Sequence, residues 1–246
     1  MRKNIRLLCA VALTALSLAA CGGGGDSGDG SKGAQTGNET PFLMVDDDGV
    51  SSFDGATLEK AIAQLPVESL STAEKDSLAY LREEEKLAHD VYILMDSLWG
   101  VTMPIFENIA AGEASHTEAV RTLLVRYDLP DPALNLGAGV FINTTLQALY
   151  TQLAATGSGS LVAALQVGAE IEELDIIDIQ NALLLIDNQD IRMVYENLLK
   201  GSRNHLRSFV KTLVRQGVTY QPKYLSSDGY NAIIDTPIER RNQRNS

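Results

Sequence analysis

The sequence predicts an all-α protein built as a bundle of four long helices, and three observations carry that prediction. Apolar residues recur every three or four positions through most of 72–216, in runs far longer than a strand. Strand-like alternation is scarce. Helix breakers fall between those runs, at Gly100, Pro130 with Pro132, Gly157-Ser158-Gly159-Ser160, Asp187-Asn188 and Gly217.

In chain order, 56–65 forms a short helix ended by Pro66. The first long helix covers 72–98, with Ser71 or Thr72 as N-cap and Gly100 as the stop. The second covers 104–127, with Pro104 near its first position and Leu129-Pro130 after it. A connection containing Gly137 and Gly139 leads to a short helix over 143–155. The third long helix covers 161–186 and the fourth 189–216, closed by Gly217. Short loops within each pair and one long crossover, carrying a short helix, give a bundle spanning 56–225. A tail, 226–246, follows. Tyr220, Pro222, Tyr224, Leu225 and Tyr230 suggest that the chain packs back across the bundle there, and residues beyond Asp235 are expected to fray.

Residues 1–20 read as a secretory signal, with Arg2, Lys3 and Arg6 before an apolar run. Leu18-Ala19-Ala20-Cys21 looks like a bacterial lipobox, which would make Cys21 the lipidated first residue of the mature chain. The expected localisation is the envelope, anchored in a membrane through Cys21; in a Gram-negative organism Gly22 would favour the outer membrane. Residues 21–55 are expected to be a flexible, Gly-rich tether, although Phe42-Leu43-Met44-Val45 is compatible with a short extended piece lying on the domain. Of the two cysteines, Cys9 leaves with the signal and Cys21 carries lipid, so the domain has no disulfide to rely on. Loss of the three signal-segment bases takes the formal charge from −12 to −15, which argues against nucleic acid as a partner. Dimerisation is left open.

The polar residues on the apolar faces are what point to a function. At about 100° per residue, Glu85 falls among Leu78, Leu81, Ala88 and Tyr92. Ile109, Val120 and Leu123 bracket His116, with Glu113 one turn back. Glu172 lies amid Leu165, Ala169, Ile176 and Ile179, and Leu198, Phe209 and Leu213 bracket His205. Glu83 and Glu84 point elsewhere, in what reads as a solvated charge run, and Glu173 sits toward the edge of its helix face. Buried carboxylates and imidazoles are costly unless they pair or bind a metal. Glu-x-x-His on a helix puts both donors on adjacent turns of one face, a mixed oxygen and nitrogen set that suits iron or manganese. The candidate ligands are Glu85, Glu113, His116, Glu172 and His205, with His89, Tyr92 and Asp175 as outer or alternative groups. The competing interpretation is a metal-free bundle whose Glu–His pairs are structural and whose role is interaction at the envelope. There is no Walker loop, no Gly-x-Gly-x-x-Gly after a strand and no Gly-x-Ser-x-Gly elbow.

The segments LREEEKLAHDVY, PIFENIAAGEASH, GAEIEELDI and VYENLLKGSRNHLRSF resemble the ferritin-like superfamily, and more narrowly a bacterial ferritin-like domain family of unknown function, over 71–225. The resemblance implies a ferritin-like four-helix bundle with two iron ions, manganese being the alternative. The superfamily pattern is Glu, Glu-x-x-His, Glu, Glu-x-x-His on successive helices. Tyr92 is similar to the tyrosine found near the metal in some ferritins. One position departs: three residues before His205 stands Ser202 in place of Glu. Asp175, one turn from Glu172, or His89 beside Glu85 would have to compensate. Without compensation a single-metal site is expected, and the departure bears more on oxygen activation than on metal binding. No catalytic residue is assigned and enzyme activity is left open.

Overall fold

The structure, a computed structural model, describes residues 42–240. The expected signal segment, Cys21, the Gly-rich part of the tether and residues 241–246 lie outside the described residues. Among those described, seven helices and one small hairpin form an all-α bundle.

The hairpin pairs β1 (Leu43–Val45) with β2 (Ser51–Phe53) in antiparallel register, Leu43 opposite Phe53. Its turn is tied by the Asp46 carboxylate, which accepts from the amides of Asp48 and Val50, and Gly49 takes a φ of +88°. In that left-handed region a Cβ is strained, and here one would also strike Ser208 Oγ. Ser51 and Phe53 are buried against the helices α3 (Ile105–Arg126) and α6 (Gln189–Arg215). The expectation of a tether reaching residue 55 is therefore corrected: from 42 onward the chain is a strap on the bundle, as the apolar Phe42–Val45 stretch hinted.

Helix α1 (Gly55–Ala63) starts on Asp54, whose carboxylate accepts from the Thr57 amide. Helix α2 (Thr72–Trp99) opens with a capping box: Ser71 Oγ accepts from the Glu74 amide while Glu74 accepts from the Ser71 amide. Helix α3 (Ile105–Arg126) begins after Pro104, α4 (Thr144–Gly157) is capped by Asn143, and α5 (Leu161–Leu183) by Ser160. Helix α6 (Gln189–Arg215) follows Asn188. The helical hairpins α2/α3 and α5/α6 pack face to face, with α4 of the crossover lying against α2 and α5.

Helix α7 (Ser227–Ile234) docks Tyr230 and Ile233 into the core, so the body of the domain runs past 225. Residues beyond Asp235 are not frayed as far as they are described: Glu239 takes the guanidinium groups of both Arg203 and Arg207. The charge run on α2 is corrected as well. Arg82 through Lys86 are all buried. Arg82 pairs with Asp131, Lys86 with Asp90, and Glu83 accepts from the amides of Ile142 and Asn143 at the start of α4. Glu173 is likewise not at an edge; it is fully buried and holds Tyr220 and the amides of Lys223, Tyr224 and Leu225.

The apolar interior divides into two clusters. One contains Val91, Phe106, Leu165 and Phe209; the other contains Leu78, Val120, Ile179 and Leu198. Buried polar side chains lie between them: Glu83, Glu84 and Glu85 on α2, Glu113 and His116 on α3, and Ser202, Asn204 and His205 on α6.

Candidate metal centre

Glu85, Glu113, His116 and His205 occupy the layer between the two apolar clusters, and Glu172 faces it from α5. Each is at most 1% exposed. Glu113 lies at the middle. Its Oε1 is 2.7 Å from His205 Nδ1 and its Oε2 is 2.9 Å from His116 Nδ1. Glu85 Oε2 approaches His116 Nδ1 from α2 at 3.4 Å, and Glu172 Oε1 approaches His205 Nδ1 from α5 at 3.7 Å. The two imidazoles stack, with centroids 5.3 Å apart and planes inclined by 15°. One carboxylate thus spans two half-sites, each closed by one histidine and one further carboxylate.

Close approach of backbone explains how two rings fit here. A Cβ on Gly201 would stand 2.6 Å from His116 Cε1, and one on Gly112 would stand 2.6 Å from the Ser51 carbonyl oxygen and 3.3 Å from the His205 ring. The hairpin covers the layer. Phe53 meets His116 edge-on at 5.5 Å, and the Ser51 amide donates to His205 Nε2 at 3.0 Å. A nitrogen that accepts this bond carries no hydrogen, so the His205 proton sits on Nδ1, toward Glu113.

The charges are strongly coupled. Burial pushes Glu113 up, but the His116 charge and the N–H groups that both imidazoles turn toward it outweigh that and hold the carboxyl well below the usual range. Burial lowers both histidines, yet the Glu113 charge outweighs it, carrying His116 up to about 10 and pushing His205 upward as well; on His205 the Ser51 amide at Nε2 opposes a second ring proton and keeps that ring neutral. Burial raises Glu85 to about 7 against the pull of His116, and burial with the Glu113 charge raises Glu172 to about 7.

Several donors remain unused. Glu85 Oε1, Glu172 Oε2 and both ring nitrogens of His116 lack a hydrogen-bond partner among the described residues, the 2.9 Å approach of Glu113 to Nδ1 being misdirected for one. Buried polar atoms left this way are rare. The donor set of carboxylates and imidazoles matches iron or manganese, so the residues present fit such an ion. Glu113, His116 and His205 alone offer three ligand atoms within 4.8 Å of one another.

The other expected residues divide. Tyr92 reaches the layer, donating to Glu172 Oε1 at 2.6 Å. Asp175 is buried beside it. His89 is not brought in: it is half-buried and its Nδ1 lies 3.0 Å from Asp90. Ser202 donates to the Leu198 carbonyl of its own helix, so no side chain of α6 takes the place of the missing Glu. Helical periodicity offered no route to Ser51 and Phe53, which lie outside the helices. Gly112 and Gly201 did leave a signal, since an interior helix glycine weakens a helix by roughly 0.5–1 kcal/mol and needs a packing reason.

With this geometry in hand, the chain can be set beside known proteins. The family model described as an uncharacterized protein domain, DUF2202, matches residues 74–237. An uncharacterized protein of Methanocaldococcus jannaschii is 47% identical over 179 residues, 73% of this chain and 96% of the relative. The crystal structure of that hypothetical protein superposes with a TM-score of 0.69, covering 71% of this chain and 99% of the other.

Proposed function

The chain belongs to the DUF2202 family, and from that premise we propose that its bundle is a ferritin-like metal-binding domain with a dinuclear carboxylate–histidine centre. Glu85, Glu113 and His116 would hold one ion, and Glu172, Glu113 and His205 the other, with iron the first choice and manganese the alternative. The observation that carries this reading is the unspent ligand capacity of Glu85 and His116 in a buried layer where Glu113 already faces two imidazoles. When bound, such ions supply redox and Lewis-acid chemistry.

The protein's own residues do the rest. The two apolar clusters keep bulk water out, Tyr92 fixes Glu172 through its hydroxyl, and Phe53 and Gly201 confine the His116 ring. The half-sites are unequal. His205 Nδ1 holds a proton that must leave before it can bind an ion, and the Ser51 amide opposes moving that proton to Nε2. On His116 no such hydrogen bond among the described residues fixes which ring nitrogen carries a proton.

The same Ser51 contact favours a second reading, in which His205 and Glu113 are a permanent hydrogen-bonded pair and the bundle is a metal-free interaction module. Metal content of the chain purified without chelator and reloaded anaerobically with Fe(II) or Mn(II) separates the two. Two ions per chain, lost on Glu113→Ala with His116→Ala, is the expected result; one ion points to the His116 half alone. No ion, with apo and loaded samples equally stable, would sink the metal reading.

We also propose that the domain is tethered to the envelope by lipid on Cys21, a reading supported by the Leu18-Ala19-Ala20-Cys21 sequence. No helix among the described residues is long and apolar enough to cross a membrane. Metabolic labelling with a fatty acid, abolished by Cys21→Ser, is the expected outcome; unlabelled wild-type chain would rule the anchor out.

A further inference from the structure

The layer is sealed, so an ion reaches it only if something opens. Glu85, Glu113, His116, Glu172 and His205 are each at most 1% exposed. They sit on α2, α3, α5 and α6, whose apolar faces are packed into the two core clusters. The hairpin, by contrast, lies over the histidines with little apolar anchorage. Of the apolar residues in β1 and β2 only Phe53 is buried; Leu43 and Val45 are half-buried and Met44 is exposed. A two-stranded ribbon is marginally stable by itself. Its other ties are polar. Ser208 Oγ donates to the Asp48 carbonyl oxygen, Asn204 Nδ2 donates to Ser51 Oγ at 3.3 Å, and the Phe53 amide donates to Ser115 Oγ at 2.8 Å. Asp47 pairs with Arg240 and Asp48 with Lys211 in exposed positions, where ion pairs contribute little.

The C-terminal segment closes over the same place. The Glu239 amide donates to Asn204 Oδ1 at 2.8 Å, and the Glu239 carbonyl oxygen accepts from Asn204 Nδ2 at 3.0 Å. The Glu239 carboxylate receives the guanidinium groups of Arg203 and Arg207. Ile238 lies 3.5 Å from where a Cβ on Gly49 would stand. Asn204, itself fully buried, thus holds Ser51 and Glu239 with the same amide group. Local opening is drawn from elements with few buried apolar contacts, and these two segments fit that description. We propose that the hairpin and residues 236–240 form a two-part closure over the layer, fastened through Asn204 and Glu239, whose release uncovers His116 and His205. Release takes the Ser51 amide off His205 Nε2, so the ring can carry its proton there and free Nδ1. That the closure admits ions rests on the function proposed above; the closure itself does not.

Two rates on the full chain test this: hydrogen exchange at the Ser51 amide, and Mn(II) uptake followed as loss of the free-ion electron paramagnetic resonance signal. Glu239→Gln keeps the shape of the side chain and removes the charge that two guanidinium groups meet. It is expected to speed Ser51 exchange at least about tenfold, the scale of one charge-assisted hydrogen bond lost. Mn(II) uptake should accelerate by a similar factor, with the final stoichiometry of the wild-type chain, since no proposed ligand is changed. Arg203→Gln removes one of the same partners and should move both rates in the same direction; it decides if Glu239→Gln does not melt cooperatively. Unchanged Ser51 exchange in a folded variant overturns the closure. Faster exchange with unchanged Mn(II) uptake overturns its control of ion entry. Faster exchange in a protein that binds no Mn(II), wild type included, upholds the closure and sinks the centre proposed above.

Discussion

At the scale of single residues, the layer works by arranging where backbone is absent and where protons sit. Gly201 is the tightest case, since His116 occupies the space a Cβ would need. Gly201→Ala is expected to destabilise the fold by about 1–3 kcal/mol through overpacking. It should also displace the His116 ring, so that metal affinity falls alongside the melting temperature; unchanged affinity would show that the ring does not bind an ion. Proton competition sets a second expectation. With His116 near 10 and a proton held on His205 Nδ1, an ion must displace ring protons at neutral pH, and Glu85 and Glu172 near 7 add protons below neutrality. Metal affinity should rise from about pH 6 to about pH 8 with proton release on binding. Calorimetry in buffers of differing ionisation enthalpy reads that release directly, and a pH-independent affinity would contradict the proposed ligands.

At the scale of elements, the β1–β2 hairpin and the α2–crossover contact are held by particular side chains. Phe53 is a buried part of the strap and borders His116. Phe53→Ala is expected to cost about 3 kcal/mol, at the low end for a buried aromatic because a two-stranded ribbon can collapse. Hydrogen exchange at the Ser51 amide should accelerate in that variant if the strap is what protects it. Asp90 ties α2 to the crossover, accepting from Lys86 and the Gly139 amide and facing His89. Burial raises its carboxyl, but the His89, Lys86 and Gly139 bonds outweigh that and hold it below its ordinary 3.8. A depressed folded-state value gives stability that is complete above about 3.8 and is lost as pH falls through the folded value. Acid titration of unfolding should therefore show a limb below that pH which is shallower in Asp90→Asn, a variant about 1–2 kcal/mol less stable near neutrality.

At the scale of the molecule, a polar layer interrupts the core, and buried acids there outnumber the bases that face them. A ligand that binds only the folded state stabilises it by mass action, about 2.7 kcal/mol at a hundredfold excess over its Kd. Loading with Fe(II) or Mn(II) should thus raise the melting temperature of the wild-type chain and leave Glu113→Ala/His116→Ala unmoved. An equal shift in both proteins would place the stabilising ion elsewhere.

Much of this architecture was legible in the chain itself. The all-α class, the four long helices, the crossover with its short helix and the inward direction of Glu85, Glu113, His116, Glu172 and His205 follow from apolar periodicity and helix breakers, which are local properties of consecutive residues. Tertiary structure decided what periodicity cannot encode. It turned Glu83 from an expected solvated acid, and Glu173 from an expected face-edge position, into buried acids, because the crossover covers the one and the returning chain the other. It sent His89 to Asp90, whose carboxylate is held at the crossover by Lys86 and the Gly139 amide. It brought Ser51 and Phe53 onto the histidines from a hairpin more than sixty residues away from either, and it made Glu113 the one carboxylate between two imidazoles. Such contacts depend on which helices become neighbours, and that choice belongs to packing rather than to any single stretch of sequence.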